Sequence, residues 1–293
     1  MAHLKRPYRT SFARVKLFPA LLAPRHLIFS ALEGALLDPR TGSFAGAEEA
    51  LSELERRHIP LVLVTPQTRE EIEPLRRKME HSHPFITESG GGIYFPDGYF
   101  SLKIPDSRRT ARYLSVALGR PYKEVCEALD DIAEECGVGV AGFHHMSSKE
   151  IAGNTGLKPR DAELARSREF DEPFYFTSAD EPAIARFVAA AKERGFDARP
   201  GKTFWHFSSG CDGARAVRTL TKLFRDATRI KLRSVGVAPA GEDLPWLRGV
   251  DQKVLLGRER NLDHSELIES ANKESGNSAG PADWNESILN VID

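Results

Sequence analysis

The chain has few cysteines, almost no net charge and no long apolar run. Its three cysteines, Cys126, Cys136 and Cys211, are odd in number and lack C-x-x-C spacing. This fits neither a disulfide framework nor a zinc site, and it favours a reducing cytosol. The net charge of −1 gives no global reason to expect nucleic acid or a membrane surface as a partner. No apolar run approaches the roughly 18 residues of a membrane span. We therefore expect a cytoplasmic protein that binds neither.

Acidic residues are missing from the first 25 positions, whereas basic residues are frequent there. The basic side chains are Lys5, Arg6, Arg9, Arg14, Lys16 and Arg25. Such a composition is found in import sequences and in arms that bind anionic surfaces. We favour a simpler interpretation, a solvated extension that precedes the first strand.

Strand and helix patterns alternate from residue 26 to about 103. The apolar run at 27–30 predicts a buried strand, and Ala47, Ala50, Leu51 and Leu54 recur at helical spacing. Residues 59–64 form a β-branched apolar run typical of a strand buried on both faces. Thr68 and Glu71 then form a capping-box pattern that predicts a second helix. Successive β-α units indicate an α/β fold with a doubly wound parallel sheet.

Between residues 104 and 200 the sequence pattern changes to more polar helices and short strands. The α/β pattern then returns. This predicts an inserted α+β module. Gly90, Gly91 and Gly92 separate two short apolar runs with no helix pattern after them, so we expect a turn between strands. The predicted divisions are a basic extension at 1–25, a first core part at 26–103, the inserted module at 104–200 and a second core part at 201–293.

Segments from about residue 26 to the C-terminus resemble one known family. They read PFITESGGGIYFP at 84–96, TGLKPRDAELARSREFDEPF at 155–174 and GPADWN at 280–285. These are similar to the mannosyl-3-phosphoglycerate phosphatases of the haloacid-dehalogenase (HAD) superfamily. The resemblance implies a phosphatase core with four motifs and an inserted α/β cap, which hydrolyses a phosphorylated sugar-glycerate with Mg²⁺.

The first motif departs from that family. The family places D-x-D-G-T after the first strand, where its first Asp attacks phosphorus and its second acts as an acid; this chain has Ala-Leu-Glu-Gly-Ala at 31–35. The methyl group of Ala31 can neither form a phospho-enzyme nor bind Mg²⁺. Glu33 keeps a carboxyl group on an arm longer by one methylene, which misplaces it by roughly an ångström. Ala35 replaces the Thr.

The third motif has also changed. It resembles Asp-Lys-Gly-x-Ala-Val but reads Asp-Gly-Ala-Arg-Ala-Val at 212–217. Gly213 therefore stands where the resemblance implies the lysine that neutralises phosphate charge. Arg215 lies two residues further on, and this spacing on a helix directs it to a different face.

The fourth motif reads Ala-Pro-Ala-Gly-Glu-Asp at 238–243, where the family has Gly-Asp-x-x-Asn-Asp. Pro239 replaces the carboxylate that holds magnesium. Glu242 and Asp243 remain and, with Glu33, are candidates for a weak metal cluster. We favour a hydrogen-bonded structural remnant over a metal site at these carboxylates.

Candidate ligand contacts lie in the core and in the cap. Thr65 closes the second strand at the position where the resemblance implies a phosphate-binding hydroxyl. Arg166, Arg168 and Glu172 lie in the segment similar to the family's cap, and arginine forks suit a phosphate or carboxylate. The alternative is a helix with ordinary surface arginines.

These departures predict a degenerate family member that lacks most catalytic residues. Our leading hypothesis is a pseudophosphatase without a cofactor, retained to bind a phosphorylated sugar-glycerate or a protein partner. One alternative is an active Mg²⁺-dependent phosphatase, in which Glu33 activates water while Glu242 and Asp243 hold the metal. A second alternative is a regulatory or scaffold subunit.

Overall fold

The computed structural model describes residues 25–201, 203–241, 244–257 and 279–293. Its strands are β1 (His26–Ala31), β2 (Leu61–Val64), β3 (Phe85–Thr87), β4 (Gly92–Pro96), β5 (Arg108–Thr110), β6 (Tyr113–Ala117), β7 (Gly139–Gly142), β8 (Asp171–Ser178), β9 (Asp197–Pro200), β10 (Trp205–Ser208), β11 (Arg233–Pro239) and β12 (Gln252–Leu256). Its helices are α1 (Glu48–Arg56), α2 (Arg69–Lys78), α3 (Tyr122–Cys136), α4 (Ser148–Thr155), α5 (Pro159–Arg166), α6 (Glu181–Glu193), α7 (Gly213–Thr228) and α8 (Pro281–Ile292). Short 3₁₀ turns span Glu88–Gly90, Phe143–His145 and Pro245–Gly249.

The larger sheet confirms the predicted α/β fold. Its strand order is β12-β11-β1-β2-β3-β4-β6-β5. The five strands from β12 to β3 run parallel, whereas β4, β6 and β5 pair antiparallel to their neighbours. Every residue of β2 is buried, as its continuous apolar run predicted. The β-α connections bring the carboxyl ends of β1, β2 and β11 to one edge of the sheet.

Local sequence signals explain the elements that lead to this edge. Ala47, Ala50 and Leu54 are buried, so one face of α1 packs against the core. Thr68 and Glu71 form the predicted capping box at the start of α2. Gly90 ends a 3₁₀ turn after β3 and Gly92 begins β4, which pairs antiparallel with β3, so the expected turn between paired strands is confirmed.

A smaller antiparallel sheet forms the inserted module, with strand order β7-β8-β10-β9. Helices α3 and α6 pack together beside it. Their shared core includes Val125, Leu129, Phe174, Phe187 and Phe207. Helices α4 and α5 enclose a separate small cluster around Ile151 and Ala162.

The two sheets do not divide the chain at the predicted boundaries, residues 104 and 200. Strands β5 and β6 belong to the larger sheet, because β6 pairs with β4 in a register that places Tyr94 opposite Ser115. At the other end, β10 belongs to the smaller sheet, since Trp205 lies opposite Phe174. An apolar run predicts a strand but does not identify the strand beside it, so the predicted divisions of the chain and the two sheets do not coincide.

Several predictions concern residues outside the described ranges. These are the basic extension at 1–25, apart from its last residue, and the candidate metal ligands Glu242 and Asp243. Among the described helices, none has the length and apolar character needed to cross a membrane.

Candidate active site at the strand ends

The candidate site is built where three parallel strands end. Ala31 closes β1, which pairs with β2 on one side and with β11 on the other. Thr65 directly follows β2, and Pro239 is the last residue of β11. Because the carboxyl ends of parallel strands share one sheet edge, these residues gather at the place where α/β folds bind ligands. The structure therefore brings together the positions that the sequence motifs singled out.

The first motif is a tight turn that packs against the end of β11. Gly34 has φ of +70°, and a Cβ atom added there would lie 3.5 Å from the Pro239 ring. Ala31 is 8% exposed, and the neighbouring Leu32 and Ala35 are almost fully buried. Two of the degenerate positions, Ala31 and Pro239, thus present only hydrocarbon side chains at this edge.

Glu33 carries the carboxylate retained in this turn. It is exposed, and Gln67 Nε2 donates a hydrogen bond to its Oε1 across 2.9 Å. This bond ties the first motif to the segment after β2. The carboxylate is therefore held at the edge of the sheet rather than left to rotate freely.

Thr65 is buried at the end of β2, with 2% of its surface exposed. Its Oγ1 accepts a hydrogen bond from the Gln67 backbone N–H across 3.1 Å, and its carbonyl accepts one from Ser89 N across 3.2 Å. The hydroxyl keeps its own hydrogen to donate. Thr65 therefore closes a turn and keeps a hydroxyl hydrogen that is free to donate.

The third motif begins α7, where Asp212 caps the helix by accepting from Arg215 N. A Cβ atom added to Gly213 would lie 2.7 Å from Trp246 Cβ and 3.3 Å from the Ser89 carbonyl oxygen. No side chain fits there unless the 3₁₀ turn that carries Trp246 moves. Arg215 is exposed on α7.

Among the described residues, this edge offers a magnesium ion few carboxylates. Mg²⁺ prefers near-octahedral oxygen ligands that include one or two protein carboxylates. Of the described side chains in the motifs, Glu33 and Asp212 carry carboxylates. Asp212 caps α7, and the Pro239 ring packs against Gly34 at the position implied for a metal ligand. Glu242 and Asp243 lie outside the described residues.

Arg168 lies at the junction between the smaller sheet's module and the core. Its side chain is 4% exposed. Its guanidinium donates to the Asp171 carbonyl across 2.7 Å, to Asp171 Oδ2 across 2.9 Å and to the Pro66 carbonyl across 3.0 Å. These bonds hold the start of β8 against the loop after β2. Arg166, in contrast, ends α5 and is exposed.

Sequence reasoning missed Glu88, a fully buried carboxylate that faces this junction. Its oxygens accept hydrogen bonds from the backbone N–H groups of Glu169, Phe170 and Asp171 across 3.0, 2.8 and 2.9 Å. Burial, with the charge of Asp171, raises its pKa to about 7, although Arg168 and the N–H groups of Phe170 and Glu169 act in the opposite direction. We call residues 168–171 together with Glu88 the junction strap.

Two glycines near the strap, Gly91 and Gly119, let the Phe170 side chain approach the backbone of the core closely. A Cβ atom added to Gly91 would lie 2.6 Å from Phe170 Cβ, and one added to Gly119 would lie 2.8 Å from the same atom. Phe170 therefore fits between the two glycines and fastens the strap to the core. The glycine run signalled a turn in the sequence, but nothing in it indicated this packing partner.

Glu172 lies inside the module rather than beside the strand ends. It is fully buried, and its carboxylate accepts hydrogen bonds from Tyr122 and from His144. The predicted ligand contacts thus occupy different surroundings. Thr65 lies at the sheet edge, Arg166 on an exposed helix end, Arg168 in the strap and Glu172 in the module interior.

Comparison with known proteins finds relatives over almost the whole chain. A glucosyl-3-phosphoglycerate/mannosyl-3-phosphoglycerate phosphatase from Methanococcoides burtonii is 32% identical over 92% of this chain and 97% of its own length. A phosphatase with the same description from Persephonella marina is 32% identical over 91% of this chain and 97% of its length. No family model matches the chain.

Solved structures support the fold. A phosphatase of the haloalkanoate (HAD) superfamily from Bacteroides thetaiotaomicron has a TM-score of 0.51 and 16% identity, covering 80% of this chain and 85% of its own. At this identity the likeness concerns the fold alone. The chain therefore has a HAD-like fold.

Proposed function

Because the chain belongs to the glucosyl-3-phosphoglycerate/mannosyl-3-phosphoglycerate phosphatase family, we propose that it is a pseudophosphatase that binds a phosphorylated sugar-glycerate without hydrolysing it. The observation that carries this proposal is the methyl group of Ala31 at the end of β1. Covalent hydrolysis needs a carboxylate oxygen at that position to attack phosphorus. Losing a nucleophile removes a factor on the order of 10⁴ or more from such a rate.

Two further positions support the loss of catalysis. A lysine at position 213 would neutralise charge on the transferred phosphoryl group, but Trp246 fills the space beside Gly213. The Pro239 ring packs against Gly34 where a carboxylate would be required. Since the packing around each position matches the smaller or apolar residue, a single reverse substitution would not rebuild the catalytic site.

The proposed ligand contacts are Thr65 from the core and Arg166 from the end of α5. Thr65 can donate its hydroxyl hydrogen to a phosphate oxygen, and the Arg166 guanidinium is exposed. Arg168 and Glu172 would have to exchange their present partners, Asp171 and His144, to contact a ligand. We therefore assign them a smaller part in binding.

A turnover assay tests the absence of catalysis. The purified chain is supplied with Mg²⁺ and with mannosyl-3-phosphoglycerate, glucosyl-3-phosphoglycerate or p-nitrophenyl phosphate, and phosphate release is compared with that of the Glu33→Gln variant. We expect both proteins to match the uncatalysed background. Mg²⁺-dependent release by the wild type that Glu33→Gln abolishes would contradict the proposal.

Calorimetry with mannosyl-3-phosphoglycerate tests binding. We expect saturable binding that Thr65→Val weakens, because valine keeps the shape of threonine but removes the hydroxyl. Thr177→Val, at an exposed position on β8, serves as the matched control. If the wild type shows no binding, the ligand part of the proposal is wrong and a protein partner becomes the better explanation.

One observation favours a second candidate, an active phosphatase that does not use a covalent intermediate. The hydrogen bond from Gln67 holds the Glu33 carboxylate at the sheet edge, where a general base for water would be needed. This route also requires metal ligands from Glu242 and Asp243. The turnover assay separates the two candidates, because only the second predicts release that depends on Glu33.

A further inference from the structure

A cluster of possible metal ligands lies in the interior of the module, apart from the strand ends. Helix α3 carries Tyr122, Cys126 and Asp130 at successive spacings of four residues, so the three side chains share one face. Facing them are His144, from the 3₁₀ turn after β7, and Glu172, from the start of β8. Three separate elements therefore contribute to the cluster.

The ligand atoms are close enough to surround one ion. Cys126 Sγ, a ring nitrogen of His144 and a carboxylate oxygen of Glu172 all lie within 4.8 Å of one another. His144 Nδ1 is 2.7 Å from Glu172 Oε1, and His144 Nε2 is 3.1 Å from Asp130 Oδ2. Without metal, a proton lies between Nδ1 and Oε1; when it is lost and Asp130 accepts the Nε2 hydrogen, the Nδ1 lone pair faces the inside of the cluster.

This arrangement has the outer partners that metal-binding histidines and carboxylates usually have. A carboxylate that accepts the second ring N–H of a histidine fixes the tautomer and makes the ligand more basic; Asp130 occupies that position. Tyr122 donates its hydroxyl hydrogen to the other oxygen of Glu172. The two inner ligands are buried, since Cys126 is 8% exposed and Glu172 0%.

The cluster has room beside β7 because residue 142 is a glycine. A Cβ atom added to Gly142 would overlap Glu172 Oε1 and would lie 2.9 Å from His144 Nδ1. The backbone of β7 can therefore approach the two ligands only because residue 142 has no side chain. This is a second feature, independent of the ligand types, that fits a site built at this position.

We propose that the module binds one zinc-class divalent cation through Cys126 Sγ, His144 Nδ1 and Glu172 Oε1. A sulfur, a nitrogen and a carboxylate oxygen form a ligand set that suits Zn²⁺ and not Mg²⁺. The fourth position is left for water. Binding releases the thiol proton and any proton on the imidazole to solvent. Cysteine number and spacing argued against a zinc site, because the ligands of this one are separated along the chain and include a single cysteine.

Metal binding to the purified full chain tests the proposal. After chelator treatment, we expect zinc to bind with one equivalent per chain and to raise the midpoint of thermal unfolding, because an ion that binds the folded state stabilises it. We also expect Co²⁺ to give the thiolate-to-cobalt charge-transfer absorption that reports a Co–S bond. A chain that takes up no zinc, or a cobalt form without this absorption, would overturn the proposal.

Variants identify the ligands. Cys126→Ser should abolish the charge-transfer absorption, whereas Cys136→Ser, on the same helix, should leave it unchanged. Asp130→Asn tests the outer partner at a half-exposed position, and it should weaken zinc binding about 10- to 100-fold. Zinc affinity that is the same in the wild type, Cys126→Ser and Asp130→Asn would place the metal elsewhere and overturn the proposal. These readouts are independent of phosphatase activity, so they neither support nor weaken the proposed function.

Discussion

The indole N–H of Trp284 donates a 2.9 Å hydrogen bond to the hydroxyl of Ser30. That hydroxyl in turn donates to the Ala31 carbonyl across 2.7 Å. Trp284 and Ser30 are both fully buried. One residue later, Asn285 Oδ1 accepts from Ala50 N and so caps α1, which has no side-chain cap of its own. The C-terminal GPADWN segment therefore stabilises the strand and the helix on either side of the first motif.

We predict that Trp284→Phe lowers the free energy of unfolding by about 1–3 kcal/mol, because it leaves a buried hydroxyl without its donor. The measurement is chemical denaturation of Trp284→Phe, Ser30→Ala and the double variant. The two substitutions should couple by about 0.5–3 kcal/mol, as contacting residues do. Trp205→Phe, in the smaller sheet, is the matched control and should be additive with Ser30→Ala. If the effects of Trp284→Phe and Ser30→Ala are additive, the hydrogen bond between the two side chains contributes nothing to stability.

Restoring the lysine of the third motif is predicted to destabilise the fold. Gly213→Lys places a Cβ atom 2.7 Å from Trp246 Cβ, and overpacking of this kind costs about 1–3 kcal/mol. Gly153→Lys is the matched control, because a Cβ atom there meets nothing within 4 Å and replacing a helical glycine is favourable. Denaturation midpoints check both. A stable Gly213→Lys protein would show that the turn carrying Trp246 moves readily.

How far the sequence predicted the structure depends on the range of each interaction. The apolar run of β2 and the capping box of α2 depend on neighbours in the chain, and both predictions were confirmed. The placement of β10 depends on which strand lies beside it. Periodicity does not show which strands are neighbours. The predicted module boundary at residue 200 therefore differs from the end of the smaller sheet.

The same distinction separates the residues of the candidate site that were predictable from those that were not. The resemblance to the family's motifs pointed to Ala31, Gly213 and Pro239. Ala31 and Pro239 end strands β1 and β11, and Gly213 begins α7. Glu88 and the Cys126 cluster could not be found in this way. Their partners lie in distant parts of the chain, at Arg168 for Glu88 and at His144 for Cys126, and only the fold brings them together.

Glu88→Gln is predicted to loosen the junction strap. Glutamine retains one oxygen but turns an amide N–H₂ toward backbone N–H donors, and it removes the negative charge beside Arg168. Arg168 keeps its ion pair with Asp171, so the cost is that of leaving buried backbone donors unsatisfied, about 1–3 kcal/mol. Hydrogen exchange should show faster exchange at the amides of Glu169, Phe170 and Asp171. Glu127→Gln, at an exposed position on α3, is the control. Unchanged exchange at the strap would show that Glu88 does not hold it.

His144 is predicted to make the stability of the metal-free protein depend on pH. Burial lowers its pKa, but hydrogen bonds with Cys126, Glu172 and Asp130 and the charge of Glu172 outweigh that effect and raise the pKa to about 11. The unfolded value is about 6.5. Because the folded-state pKa is the higher one, the stabilisation is fully present below the unfolded value and is lost as pH rises toward the folded value.

The measurement is the free energy of unfolding of the wild type and of His144→Gln between about pH 6 and pH 10, with chelator present throughout. Groups that both proteins share cancel in the difference. That difference should be largest at the acidic end and should shrink as pH rises, since the wild type alone loses the charged imidazole. Glu172→Gln should weaken the trend, because it removes the carboxylate that favours the proton. A difference that stays constant across this range would show that His144 is not held in its charged form.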